Sequence, residues 1–152
     1  MTVAKFLSET KSIENGIQRL IDIEAKLRGY ANQAQYSLDN VPTADVEQIT
    51  SKMSDLIQSL KKRIDDLKNH ISSHKDTLNQ SDLKMEQNAL DTTVRKLANA
   101  VQKYNETQVE YDKNVKSHVK QVLKAVVNKT DQEVDELVES GNGIEAIRSD
   151  DG

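Results

Sequence analysis

From Leu83 to Ala125 the sequence keeps a single stripe in alternating steps of three and four. Leu83, Leu90, Val94, Leu97, Val101, Tyr104, Gln108, Tyr111, Val115, His118, Val122 and Ala125 share one helix face, with the slot at Gln87 polar. A stripe held for roughly 45 residues, at about 1.5 Å per residue, predicts a rod of roughly 65–70 Å. Nothing punctuates it, because neither Gly nor Pro occurs between Ser81 and Asn128. A helix of this length must find cover for its apolar face, so the rest of the chain is constrained to supply it.

The two preceding segments have the right pattern. Ile13, Ile17, Leu20, Leu27, Ala31, Ala34 and Leu38 line one face of a first helix over residues 4–39, with Glu24 where an apolar residue is expected. Gly16 and Gly29 each cost roughly 1 kcal/mol against Ala in a helix, and mark close helix contacts, a weaker first helix, or simple tolerance. Asp39-Asn40-Val41-Pro42 breaks the pattern, and Thr43 with Asp45 and Glu47 suits a cap and an acidic first turn. The second helix reads Val46, Ile49, Met53, Leu56, Leu60, Ile64, Leu67, Ile71, His74 and Leu78, with a stutter at Leu56-Leu60-Ile64. Asn79-Gln80-Ser81-Asp82 supplies the next reversal. Short connections force antiparallel neighbours, and Ile21, Ile23, Ile57, Val109 and Val119 widen each stripe beyond a two-stranded seam.

These patterns imply an all-α fold class, an antiparallel up-down-up three-helix bundle with a long third helix and a short linker helix. The bundle is expected over residues 1–128 and an acidic linker with a flexible end over 129–152. Helix three outruns the others, and its far end broadens to Val115, Val119, Val122, Leu123, Val126 and Val127, a surface that calls for a partner. Thr130-Asp131-Gln132-Glu133 has the spacing of a capping box, Val134, Leu137 and Val138 form an apolar edge, and Gly141 suits a helix stop.

Composition narrows function by exclusion. The 152 residues include 30% charged side chains, 1 Pro, 5 aromatic residues (4 Tyr, 1 Phe) and no Cys, so disulfides and zinc-thiolate sites are excluded and a reducing, cytosolic setting is expected. No apolar run approaches the length of a membrane span and no secretory signal is present, so these residues are not expected to insert into a membrane and any anchor would lie outside them. Residues 1–42 carry 5 basic and 5 acidic side chains, 43–79 carry 6 and 6, 80–128 carry 8 and 6, and 129–152 carry 2 and 8. That distribution lacks the concentrated basic footprint that nucleic acid requires.

Lys113, Lys116, Lys120 and Lys124 form a basic strip on the overhang of helix three. It either docks an acidic element, Asp131, Glu133, Asp135, Glu136 and Glu139 of the linker included, or is a solvated face that complements the helix dipole. His70 and His74 at i,i+4 lack a third ligand and read as a surface and seam pair rather than a metal site. Asn79, Asn105 and Asn128 head chance N-x-S/T triplets, and Lys61-Lys62-Arg63 is an ordinary exposed face. No nucleophile-base pair, phosphate loop or ligand cluster supports catalysis, so the chain reads as a non-enzyme with no cofactor.

The segment Tyr104-Asn105-Glu106-Thr107-Gln108-Val109-Glu110-Tyr111, then Val119-Lys120-Gln121-Val122-Leu123, then Thr130 to Asn142 resembles the N-terminal regulatory (Habc) domain of syntaxins, the Qa-type SNARE proteins, most closely the plasma-membrane branch. The resemblance implies a three-helix domain that acts in vesicle membrane fusion and exocytosis. Such a domain folds back on its own SNARE motif, hinders pairing with other SNAREs, and binds SM-family proteins. It places the family's Leu-Glu linker latch at Val134 and Asp135, a shorter pair. Ile57, Val109, Val119 and Leu123 become candidates for the groove that receives the SNARE helix between helices two and three. Two departures stand out: the sequence stops at Gly152, before any SNARE heptads or anchor, and Met1-Thr2-Val3-Ala4-Lys5 does not match the short N-terminal peptide of many syntaxins. The rival expectation is a structural spacer or tethering bundle of spectrin-like type. A curved membrane-binding dimer is disfavoured by the neutral charge of the first two helices.

Overall fold

The computed structural model describes residues 1–37, 42–127 and 131–139. Three long helices, α1 (Val3–Ala34), α2 (Thr43–His74) and α3 (Gln80–Val122), pack against one another as a bundle. A π-helical turn, Leu123–Val127, comes next, and α4 (Asp131–Glu139) completes the described elements. No strand occurs among the described residues.

The helix boundaries have local causes. Thr2 opens α1, its Oγ1 accepting the Lys5 N–H at 3.1 Å. Helix α1 ends at Ala34, short of the expected limit near residue 39, and Gln35 to Ser37 close it with turn hydrogen bonds to Asn32 and Gln33. Leu38 and the Asp39-Asn40-Val41 break lie outside the described residues. Helix α2 begins at Thr43 with Asp45 in its first turn, and stops at His74, whose carbonyl accepts from the Thr77 and Leu78 amides. Asn79 then caps α3: its Oδ1 accepts the Asp82 N–H at 2.8 Å while its Nδ2 donates to Asp82 Oδ2 at 3.1 Å.

The contacts divide into two compact units. In the first, Met1–Lys26 with Ala44–Glu106, the pairings Phe6 with His70, Glu9 and Ser12 with Arg63, and Gly16 with Leu60 run α1 and α2 in opposite directions. Its core contains Phe6, Ile13, Ile17 and Leu20 against Ile49, Met53, Leu60, Ile64, Leu67, Leu90 and Leu97. Burial of each such side chain stabilises by roughly 1.5–3 kcal/mol. Helix α1 presents these at 6, 10, 13, 17, 20 and 24, so the four-three pattern begins two turns earlier than its aliphatic residues reveal, with Phe6 and Thr10 already buried. Leu56 and Ile57 are each half-buried, and with Ile57 as the inward slot the two successive four-residue steps fall one turn earlier, at Ile49-Met53-Ile57. In the second unit, Leu27–Thr43 with Thr107–Gly152, Leu27, Ala31, Ala34, Tyr111, Val119, Leu123, Val134 and Val138 are buried.

Helix α3 departs from the reading of its stripe in one systematic way. Leu90, Leu97, Tyr104 and Tyr111 are buried as the spacing predicts, but the alternate slots fall one residue earlier. Thr93, Ala100, Thr107 and Asn114 are buried, whereas Val94, Val101, Gln108 and Val115 are only half-buried beside them. Small and polar residues are accommodated at the centre of the face, the polar ones through hydrogen bonds within α3 or to α1. Thr93 Oγ1 donates to Ala89 O at 2.9 Å, and Asn114 Nδ2 donates to Ala31 O at 2.9 Å. Glu86 extends the series one heptad earlier, fully buried, with His70 Nε2 4.0 Å from its carboxylate.

The two helical glycines of α1 differ physically. A Cβ on Gly16 would stand 2.7 Å from Leu60 Cδ2, a side chain that is itself buried and cannot swing away freely, whereas nothing lies within 4 Å of a Cβ on Gly29. Gly29→Ala therefore gains helix propensity and should raise stability by up to about 1 kcal/mol. Gly16→Ala must displace Leu60 at an overpacking cost of roughly 1–3 kcal/mol and should be neutral or destabilising. Urea midpoints of the two variants test the contrast.

Candidate functional site

The overhang of α3 and the short helix α4 form the most organised functional candidate, and both lie in the second unit. Along α3 the inward positions change rhythm, from Tyr111 and Asn114 on the heptad to half-buried Val115 and then buried Val119 and Leu123 at steps of four. Four-residue steps exceed the 3.6-residue helical repeat, so the apolar line drifts off the bundle-facing stripe. The uninterrupted α-helix expected to run to residue 128 instead yields at Leu123 to the wider π turn. Leu123 is fully buried, and packs in one cluster with Val119, Val134 and Val138, flanked by Val115 and Leu137.

A ladder of ion pairs runs beside that cluster. Lys116 Nζ lies 3.6 Å from Glu139, Lys120 Nζ 2.8 Å from Asp135, and Lys124 Nζ 2.9 Å from Asp131. Each step of four forward on α3 is met by a step of four backward on α4, which defines an antiparallel pairing. Lys113, the remaining member of the strip, is exposed and has no ion-pair partner among the described residues. With only nine residues, α4 is shorter than the roughly 12–15 at which an isolated helix becomes even marginal in water, so docking is what makes it helical. The capping residue Thr130 and the stop at Ser140-Gly141-Asn142 lie outside the described residues.

The apolar and ionic parts contribute differently. Val134 and Val138 are buried, each worth roughly 1.5–3 kcal/mol. The ion pairs are solvent-exposed and individually weak, so they select orientation more than affinity. The central pair is the best formed: its hydrogen bond, and then its charge, hold the Asp135 carboxyl below the ordinary value and raise Lys120 above its own. Val134 and Asp135 thus stand side by side, one buried in the cluster and one fastened to Lys120.

The four groove candidates are not equivalent. Val119 and Leu123 are already covered by α4, Ile57 is half-buried in the first unit, and Val109 in the second is 67% exposed. His70 and His74 stack with ring centroids 4.4 Å apart, and His74 Nδ1 faces the His70 carbonyl at 3.0 Å. The described residues contain no group of three or more His, Cys, Asp or Glu placed to hold a metal. No helix among them is long and apolar enough to cross a membrane.

Comparison with known families settles the class of the chain. The family model described as Syntaxin matches residues 1–150, and so takes in the bundle, the π turn and α4 together. The chain belongs to the syntaxin family. The match is to the syntaxin N-terminal Habc domain, and it answers the choice between a SNARE protein and a spectrin-like spacer in favour of the former. Syntaxins are non-enzymatic SNARE proteins of membrane fusion and trafficking, associated with membranes through a C-terminal anchor. No solved structure matches this syntaxin-family chain.

The Lys120–Asp135 pair predicts how docking responds to pH. Asp135 is more acidic docked than free, so its contribution is complete above the ordinary value of 3.8 and is lost as pH falls from there through the lowered one. Lys120 is less acidic docked than free, so its contribution is complete below 10.5 and is lost as pH rises beyond it. The protection factors of the α4 amides, corrected for the intrinsic pH dependence of exchange, should therefore stay level across neutral pH and fall at both extremes. Lys120→Gln should remove the alkaline response and weaken the acid one, since Lys124 still lowers Asp135, and raised salt should weaken docking of the parent chain more than that of the variant.

Proposed function

We propose that this syntaxin-family chain is an autoregulatory and partner-binding domain. It receives the SNARE motif of its own polypeptide as a fourth helix, delays that motif's pairing with other SNAREs, and offers the assembled surface to an SM-family protein. The observation that carries the reading is the seating of α4 on α3, with Val134 buried and Asp135 paired at the two positions that match the family's linker latch. An anchored linker limits where the chain after it can travel, and so raises the local concentration of the segment it carries.

The receiving face is the flank of α2 and α3 that turns away from α1. Arg63 on α2 and Lys96 on α3 mark the opposite flank, since they bond Glu9 and Glu14 of α1. Ile57, Val94 and Val101 stand on the other side, each half-buried and so able to bury more surface against a fourth helix. Val119 and Leu123 belong to the linker seat instead, which leaves Ile57 to the receiving face and Val109 exposed. Assignment to the plasma-membrane branch rests on the likeness at Tyr104 to Tyr111, Val119 to Leu123 and Thr130 to Asn142, and the full-length protein is placed on the cytosolic face of a membrane.

The test is the rate of SNARE assembly by the full-length protein against that of its bare SNARE motif. The domain should slow assembly, and Val134→Ala with Asp135→Ala should recover about tenfold of the rate, equivalent to ~1.4 kcal/mol of closure. Ile57→Asp with Val101→Asp should recover it through the receiving face. Equal rates with and without the domain would eliminate closure and leave partner recruitment alone.

A further inference from the structure

The seat of α4 has a chemistry that does not depend on α4 being covalently attached. Val115, Val119 and Leu123 form an aliphatic line at steps of four, and Lys116, Lys120 and Lys124 form a parallel line of cations one residue further on. Helix α4 presents the complement, Val134 and Val138 beside Asp131, Asp135 and Glu139. The strip also extends past the end of α4. Lys113 is unpaired among the described residues, and Val109, Asp112, Lys113 and Ser117 line an open recess of about 590 Å³ that reaches Lys116 and Lys120.

We infer that the α3 overhang is a docking site for an acidic amphipathic helix supplied in trans by a partner protein, and that α4 is its built-in, displaceable occupant. The recognised helix carries aliphatic residues four apart, with carboxylates repeating every four residues along the adjacent edge, and runs antiparallel to α3. Three observations support displacement. Helix α4 is too short to persist alone, its ion pairs are all exposed, and it leaves Lys113 and Val109 uncovered. A partner helix two turns longer would reach the uncovered end as well and so out-compete α4. This inference concerns the linker seat and stands apart from the α2–α3 face proposed for the SNARE motif.

The probe is a fluorescein-labelled synthetic peptide of residues 129–142, measured by anisotropy against the whole chain. Two variants free the seat by different means: Val134→Asp, which places a carboxylate in the apolar cluster, and the surface pair Asp131→Lys with Asp135→Lys, which leaves the core untouched. Both should bind the peptide at least tenfold more tightly than the parent chain. Adding Lys120→Glu should remove that gain, and a peptide with Asp131, Asp135 and Glu139 all changed to Lys should not bind. The inference is overturned if neither freed variant binds the peptide, or if binding ignores Lys120→Glu. It is equally overturned if the freed variants instead form a concentration-dependent dimer in sedimentation, which would make a second copy the occupant. Co-sedimentation with phosphatidylserine vesicles but no peptide binding would make it a lipid surface.

Discussion

Burial of one face of α3 is the constraint on which the remaining packing depends. A helix of 43 residues cannot leave an apolar stripe in water, and the stripe is covered only if neighbouring helices track it along its length. The centre line of that face is unusual in substance. Glu86, Thr93, Ala100, Thr107 and Asn114 recur every seven residues, so the middle of the interface is built from small or polar groups with larger aliphatic and aromatic residues at either side. Small residues bring helices close, and the hydrogen bond from Asn114 to the Ala31 carbonyl gives the second unit a directional contact that aliphatic packing lacks. Glu86 is the exception. Its carboxylate is buried without a hydrogen-bond partner among the described residues, and His70 Nε2 lies 4.0 Å away.

The linker seat exists because α3 abandons this rhythm. As long as buried residues alternate between three and four, one face serves the bundle. Once Val115, Val119 and Leu123 advance by four each time, the apolar line rotates away and needs separate cover. The π turn and α4 answer that need within the same polypeptide. The linker helix is held to the end of α3 by one apolar cluster and three exposed ion pairs.

Side-chain periodicity makes much of this legible. Three helices, their order, the reversal at Asn79 to Asp82 and the apolar edge of the linker helix all come from spacing and capping chemistry. The basic strip and acidic linker are visible as complementary charge, but a lysine face on a helix is usually solvated, and only the shared register of 116, 120 and 124 with 139, 135 and 131 separates the two readings. Sequence does not reveal which of two adjacent residues faces inward. Val94 and Val101 look like better core residues than Thr93 and Ala100, and hydrophobicity alone selects them. A threonine that bonds its own helix's carbonyl carries little polar cost inward, and an alanine permits close approach, so the structure prefers the less obvious choice. Phe6 and Thr10 escape a reading of the pattern for a similar reason, as a lone aromatic and a hydroxyl make no stripe. The π turn has no sequence signature.

The ladder between α3 and α4 is periodic in both its charges and its valines, and a periodic ladder does not define its own zero. Sliding α4 by one turn would put Val138 where Val134 sits and leave two of the three ion pairs intact. The ladder itself does not choose between alignments that differ by such a shift of roughly 6 Å, and the constraint that α4 has and a free helix lacks is its covalent connection, three residues after the π turn. Covalent length thus supplies the phase that the chemistry leaves open. A helix arriving without a tether meets no such key, and the same surface that reads α4 in one alignment would accept untethered helices in several, trading uniqueness of pose for breadth of partner.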